Sequence, residues 1–294
     1  MILIMNMTWK EMLRKRVMIL AGILSILFLI AYWFIGAAIA DSNRSSGFMT
    51  GSNLITDYAS GVLMMMIGFF FAGFVVALLS IFSSFSSIAG EAEQGVMQAL
   101  LPRPIPRWKF YIGRWLGYVS LLLCYTLVLY TAIMIITDIH AAIPQDPMVH
   151  IQAFLLYALV IVLLISLTML GSTRFSSLGN GVFMTMLFGA GWLGGMLEKI
   201  RSIGIIDIMD AEVAVKLSNI SGLMSMLMPV DALQRKMLHG LIGMDELGGL
   251  VDISGMVAEF FVGNPPSGTF VVYALIYTAI VFVWGILRFQ RKDL

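Results

Sequence analysis

Residues 17–40 read VMILAGILSILFLIAYWFIGAAIA, 24 positions without one Asp, Glu, Lys, Arg or His. As a helix this stretch rises about 36 Å, enough to cross a hydrocarbon core of about 30 Å. Basic residues precede it, and Ala38-Ile39-Ala40 imitates a signal-peptidase site. A signal h-region, however, runs only about 7–15 residues, so this stretch reads as a retained first span. Five more stretches have the same character: Tyr58–Phe85, Trp115–Thr137, Ile151–Gly171, Leu178–Leu197 and Thr269–Leu287. Their interiors also lack ionisable residues.

The composition fits six spans. Of 294 residues 60% are hydrophobic and 12% charged, against about 25% charged in soluble domains. In lipid the backbone must satisfy its own hydrogen bonds, so the spans are helices, and the alternating pattern of a barrel is absent. The fold class is all-α: one polytopic transmembrane domain over residues 1–294. A net charge of +1 argues against nucleic acid as a partner. The single cysteine, Cys124, lies in an apolar run and reads as a small buried hydrophobe. The 23 methionines read as packing filler rather than metal ligands.

Lys and Arg in the short flanks set orientation. With the N-terminus inside, the cytoplasmic segments hold Lys10, Arg14, Lys15, Arg16, Arg103, Arg107, Lys109, Arg114, Arg174, Arg288, Arg291 and Lys292, while the short outer loops hold only Arg44. Both termini are therefore expected in the cytoplasm. Before the first span, Thr8-Trp-Lys-Glu11 has capping-box form, and Met5, Trp9, Met12 and Leu13 share one face. This predicts an interfacial helix leading into the span.

The outer connection 198–268 is too long to lack structure. Val213, Leu217, Ile220, Met224 and Leu227 repeat at helical spacing until Pro229. Asp231 with Gln234 then starts a second helix, with Leu233, Met237, Leu238 and Leu241 as its stripe and an end near Gly243. Two amphipathic helices on the outer face are expected, as a lid over a substrate path or as passive packing. The residues singled out for the lid are Leu217, Met224, Pro229, Asp231 and Leu238.

Several chemistries have no motif here. There is no Gly-Lys dipeptide and so no P-loop, no Gly-x-Ser-x-Gly elbow and no His-Glu-x-x-His helix. His140, His150 and His239 lack metal-ligand spacing. Carboxylates or histidines acting as proton relays inside the spans are missing, as is a polar pore ring. The pairs Gly113/Gly117 and Gly191/Gly195 permit close helix contact and read as packing within one bundle.

Residues 90–115, GEAEQGVMQALLPRPIPRWKFYIGRW, concentrate charge on one cytoplasmic connection. A short helix carries Glu91 and Glu93 at its start, where acids suit the helix dipole. Pro102, Pro104 and Pro106 then forbid continuation and stiffen the exit. The two glutamates are expected to stand exposed on a short rigid lever.

The run Glu91-Ala-Glu93-Gln-Gly95, then Leu100-Leu101, Pro104-Ile105 and Arg107, resembles the signature of type-two ATP-binding-cassette (ABC) transporter permeases. The nearest branch is that of multi-copper-enzyme-maturation, bacteriocin-immunity and drug-export permeases. Met228-Pro229-Val230-Asp231-Ala232-Leu233 is similar to a further element of that branch. Val96 stands where the family usually has threonine.

The resemblance implies the permease half of a bacterial exporter in the cell membrane, with no catalytic residues and no cofactor of its own. ATP and Mg would be bound by a separate ATPase subunit, and a second permease copy or paralogue would complete a dimer in the lipid bilayer. Residues 90–101 would be the coupling helix, with Glu91, Glu93, Gly95, Leu100, Leu101, Pro104 and Arg107 as its contacts. Two rival readings are a non-transporting immunity protein that sequesters a toxic peptide and an accessory subunit of a membrane enzyme.

Overall fold

The computed structural model describes residues 2–45, 53–93, 95, 106–202, 211–243 and 265–291. Among these, every regular element is a helix. In chain order they are α1 (Ile2–Arg14), α2 (Arg16–Ser45), α3 (Asn53–Ser84), α4 (Ala89–Glu93) and α5 (Arg107–His140). Then follow α6 (Pro147–Ser172), α7 (Ser177–Ser202), α8 (Ala211–Leu227), α9 (Val230–Ile242) and α10 (Gly268–Arg291). Six of them (α2, α3, α5, α6, α7 and α10) are long and apolar enough to cross a membrane, and they coincide with the six expected spans. An even number of crossings leaves both ends of the chain on one face, here called the termini face.

The bundle is built around α3, α5 and α6. Met64, Met65, Met66, Phe69, Tyr118, Ile133, Tyr157 and Ile161 are fully or almost fully buried among them. The three consecutive methionines are all buried, a use for which an unbranched flexible side chain suits. The outer helix α2 turns Ile19, Leu20, Ile23, Leu27 and Phe34 outward, which is the expected state of a lipid-facing surface. Cys124 is exposed on the same apolar perimeter, so the expectation of a buried cysteine is corrected.

Helix α1 starts at Ile2, six residues earlier than a cap at Thr8 would allow. Thr8 is instead fully buried mid-helix and donates from Oγ1 to Ile4 O at 2.9 Å. The capping box fails because Gly117 of α5 opens a slot for that side chain; a Cβ there would meet Thr8 Cβ at 2.6 Å. Gly113 receives Ile4 in the same way, and Trp9 Nε1 donates to Ser120 Oγ at 2.8 Å. Ile4 and Thr8 thus pack on Gly113 and Gly117 with the same four-residue step on both helices. The face differs from expectation at one point, since Leu13 is 55% exposed.

The largest departure concerns α8 and α9. They do not lie flat on the outer face but form a hairpin that enters the bundle. From α8 the chain passes Met228 packed on Gly191, and Met224 packed on Gly194. Then α9 returns along α3 and α6, ending where Tyr58 Oη donates to Ile242 O at 2.8 Å. Gly191 lies 11 residues inside the end of α7 at Ser202, about 16 Å of helix. The hairpin tip thus reaches the middle level of the spans.

A helix end at that depth must have its free carbonyls satisfied. Tyr273 and Tyr277 of α10 do this, donating from Oη to Met226 O at 2.9 Å and Leu227 O at 3.2 Å. Pro229 occupies the turn and brings no N–H that would need an acceptor.

Candidate functional site

Two charged clusters stand at opposite levels of the bundle. The first is on the termini face, around α4. Residues 85–88 turn the chain out of α3, and Ser172 Oγ accepts from the backbone N–H of Ile88 (3.1 Å) and Ala89 (3.0 Å). Asn180, fully buried, donates from Nδ2 to Phe85 O at 2.8 Å and to Thr168 O at 2.9 Å. These two side chains fasten the turn to α6 and α7.

Of the two glutamates, Glu93 is exposed and accepts from the Ser177 backbone N–H at 2.8 Å. Glu91 is turned inward, 13% exposed, and pairs with Arg114. Arg114 also pairs with Glu11 of α1, and Glu11 is 3.1 Å from Lys15. Burial alone pushes the Glu11 carboxyl up, but the Arg114 and Lys15 cations beside it bring it below the usual glutamate value. The expectation that Glu91 stands exposed is therefore corrected. Glu93, two residues on, is exposed as expected, whereas Glu91 ties α4 to α5.

Gly95 follows with φ +70° and open space where a side chain would be. This left-handed position stops α4 and favours glycine on backbone grounds. Arg107 lies at the start of α5 and donates to Gln290 O at 3.4 Å, joining α5 to the last turn of α10. Leu100, Leu101 and Pro104 lie outside the described residues.

The second cluster belongs to the hairpin. Asp231 Oδ1 is 3.2 Å from Lys199 Nζ, and Asp231 Oδ2 is 2.9 Å from Arg235 Nε. Arg235 also pairs with Glu198, which accepts from Ser225 Oγ at 3.3 Å. Lys199, Asp231 and Arg235 are each less than a tenth exposed. The four formal charges sum to zero, as burial at this depth demands. A Cβ at Gly195 would occupy the position of the Asp231 carboxylate, so glycine there is what admits the acid. One helical turn on, Gln234 Nε2 donates to Phe69 O at 2.7 Å through space left by Gly73.

This arrangement corrects two sequence readings. Asp231 and Gln234 lie in the first turn of α9, but neither side chain caps it; both bond to other elements. The spans themselves carry no buried acid, yet the hairpin brings one acid and one arginine in beside them. Little in the sequence pointed to this, because Glu198 and Lys199 lie in the last turns of α7 while Asp231 and Arg235 arrive from a segment that is not a span. Of the expected lid residues, Pro229, Asp231 and Leu238 are buried, while Leu217 and Met224 are half-buried. Both glycine pairs pack within the bundle as expected, Gly113/Gly117 against α1 and Gly191/Gly195 against the hairpin.

Among the described residues no group of three or more His, Cys, Asp or Glu side chains is placed to hold a metal ion. No curated protein matches the sequence. The family model described as "ABC-2 family transporter protein" matches residues 2–294, nearly the whole chain. The chain belongs to the ABC-2 family of transporter proteins, as a multi-pass membrane protein of that family.

Proposed function

We propose that this permease is half of an exporter, driven by a separate ATP-binding-cassette ATPase that docks beneath α4. The observation carrying this reading is the fastening of the 85–95 segment. It is held by Ser172 of α6, Asn180 and the Ser177 amide of α7, and Arg114 of α5. A partner that displaces α4 thereby displaces three spans and α1 together. Rigid-body rocking of one part against another follows from such a linkage. Glu93, exposed at the edge of α4, is the contact offered to the partner, and Gly95 leaves the backbone open to close approach.

In this reading the termini face is cytoplasmic, in the cell membrane of a bacterium. ATP and Mg are bound by the partner, and a second permease copy or paralogue completes the path. The hairpin, reaching mid-level from the opposite side, gates that path. The Met228-Pro229-Val230-Asp231 tip and its buried charges support the branch of copper-enzyme-maturation, immunity and drug-export permeases.

A photo-reactive residue at position 93 tests the docking. In native membranes it is expected to cross-link to a subunit that binds ATP. Cargo efflux from vesicles holding both subunits is expected to require ATP hydrolysis and to fall in Glu93→Ala. Cargo binding by the permease alone, unchanged by the ATPase, would replace this reading with sequestration.

A further inference from the structure

The outward face of α1 and the first residue of α2 carry three cations that neither the fold nor the coupling mechanism uses. Lys10, Arg14 and Arg16 are exposed and have no acidic partner among the described residues. Lys15, by contrast, turns inward to Glu11 and donates to Ser83 O at 3.4 Å, at the termini-face end of α3. That bond fixes the end of α1 at the level where the α3 span stops. Between the free cations stand Leu3 (73% exposed), Met7 (60%) and Leu13 (55%).

The same surface continues into α2, where Ile19 (56%) and Leu20 (66%) begin the lipid-facing perimeter one turn after Arg16. Only Lys15 separates the two helices. A face that mixes exposed aliphatics with unpaired cations, set at the level where an apolar belt begins, has the chemistry of a membrane interface. A protein-docking face has less reason to continue without a break into a lipid-facing one.

We propose that α1 and the start of α2 bind anionic phospholipid headgroups through Lys10, Arg14 and Arg16, with Leu3, Met7 and Leu13 in the acyl boundary. The bound lipid thereby stabilises α1 against α5, where Glu11 meets Arg114. Each cation near an anionic surface contributes about a fivefold preference.

The test uses the purified full-length protein in detergent, titrated with phosphatidylglycerol, phosphatidylcholine or inorganic phosphate, with bound lipid counted by native mass spectrometry. The wild type is expected to retain phosphatidylglycerol in clear preference to phosphatidylcholine, and inorganic phosphate is expected not to compete. The preference should fall about fivefold in Lys10→Gln and about 25-fold in Lys10→Gln/Arg14→Gln. Lys10→Arg should restore it. Raising salt from 0.1 to 1 M, which shortens the screening length from about 10 to 3 Å, should abolish the preference in wild type. This last arm needs no variant and stands even if the double variant fails to insert.

Equal retention of the two lipids by wild type would overturn the proposal, as would an unchanged preference in both variants. Competition by inorganic phosphate would also sink it, by showing a simple anion site. So would variants that keep the lipid preference but lose ATPase binding, since the face would then be a protein-docking surface.

Discussion

Arg114 joins two carboxylates from separate helices, Glu11 of α1 and Glu91 of α4. Its side chain is 11% exposed and that of Glu91 13%, while Glu11 is 41% exposed and keeps Lys15, so removing the cation leaves the largely buried Glu91 without its partner. Arg114→Leu is expected to cost about 3 kcal/mol, read as a lower melting temperature in detergent. Glu91→Gln should cost less, because Glu11 still neutralises Arg114. The pH dependence has a definite sign. The folded Glu11 titrates below its unfolded value of 4.5, so its contribution is complete above about pH 4.5. It is lost as pH falls through the lower folded value. Undocking of α1, followed by Trp9 fluorescence, is therefore expected only in acid, and Glu11→Gln should remove that transition. At the other cluster, Asp231→Ala leaves Lys199 and Arg235 facing Glu198 alone, and a loss of about 3–5 kcal/mol is expected. Gly195→Val should do similar damage by evicting the same carboxylate, and the two changes together should cost less than their sum.

At the scale of the element, α8 shows what a hydrophobic stripe means once the surroundings are apolar. Of the stripe, Val213, Ile220 and Leu227 face outward at 44%, 46% and 56% exposure, while Leu217 and Met224 are half-buried and Met224 packs on Gly194. The packed side is Ser221 and Ser225, 3% and 7% exposed, against Gly194 and its neighbours on α7. In lipid no hydrophobic force pulls leucines together, and small residues permit the close approach that packing rewards. Ser225→Leu is accordingly expected to destabilise the hairpin, whereas Leu223→Ala, at a position 69% exposed, should leave the unfolding free energy within about 0.5 kcal/mol of wild type. In α9 the apolar stripe is buried as its spacing foretold, with Leu233, Met237 and Leu241 at 0%. Leu238→Asp should therefore prevent stable docking. Periodicity located both helices and their junction at Pro229, but it could not say which face is inside. That depends on whether water or lipid lies outside. The same limit explains Thr8, whose spacing to Glu11 satisfied a local rule while Gly117, more than a hundred residues away, decided its place.

For the whole molecule, six long apolar runs made the spans legible, since each closes its own backbone hydrogen bonds and needs no partner to be recognised. The long-range pairings were not legible. Glu91 to Arg114, Asp231 to Lys199 and Asn180 to Phe85 join segments that only the folded bundle brings together. Orientation is open to a direct check in a Cys124→Ala background, needed because that thiol is exposed. Gln145→Cys, on the 141–146 turn, should react with an impermeant thiol reagent in intact cells, and Ser176→Cys, on the α6–α7 turn, should not. The reverse pattern would invert the protein.

The neutral charge set of the hairpin also constrains the order in which the chain is assembled during synthesis. Glu198 and Lys199 leave the ribosome with α7, before Asp231 and Arg235 exist. Their cross-links, Lys199 to Asp231 and Arg235 to Glu198, complete the set only once both pairs are present. With the termini face cytoplasmic, as proposed above, the α8–α9 segment is expected to be translocated first and then to fold back into a groove already prepared by α3, α6 and α7. The tyrosines that complete its tip arrive last, with α10. Chains truncated before Tyr273 should consequently hold the six-residue charge span Asp231–Lys236 accessible to protease from the far side, and its protection marks the moment at which the permease is complete.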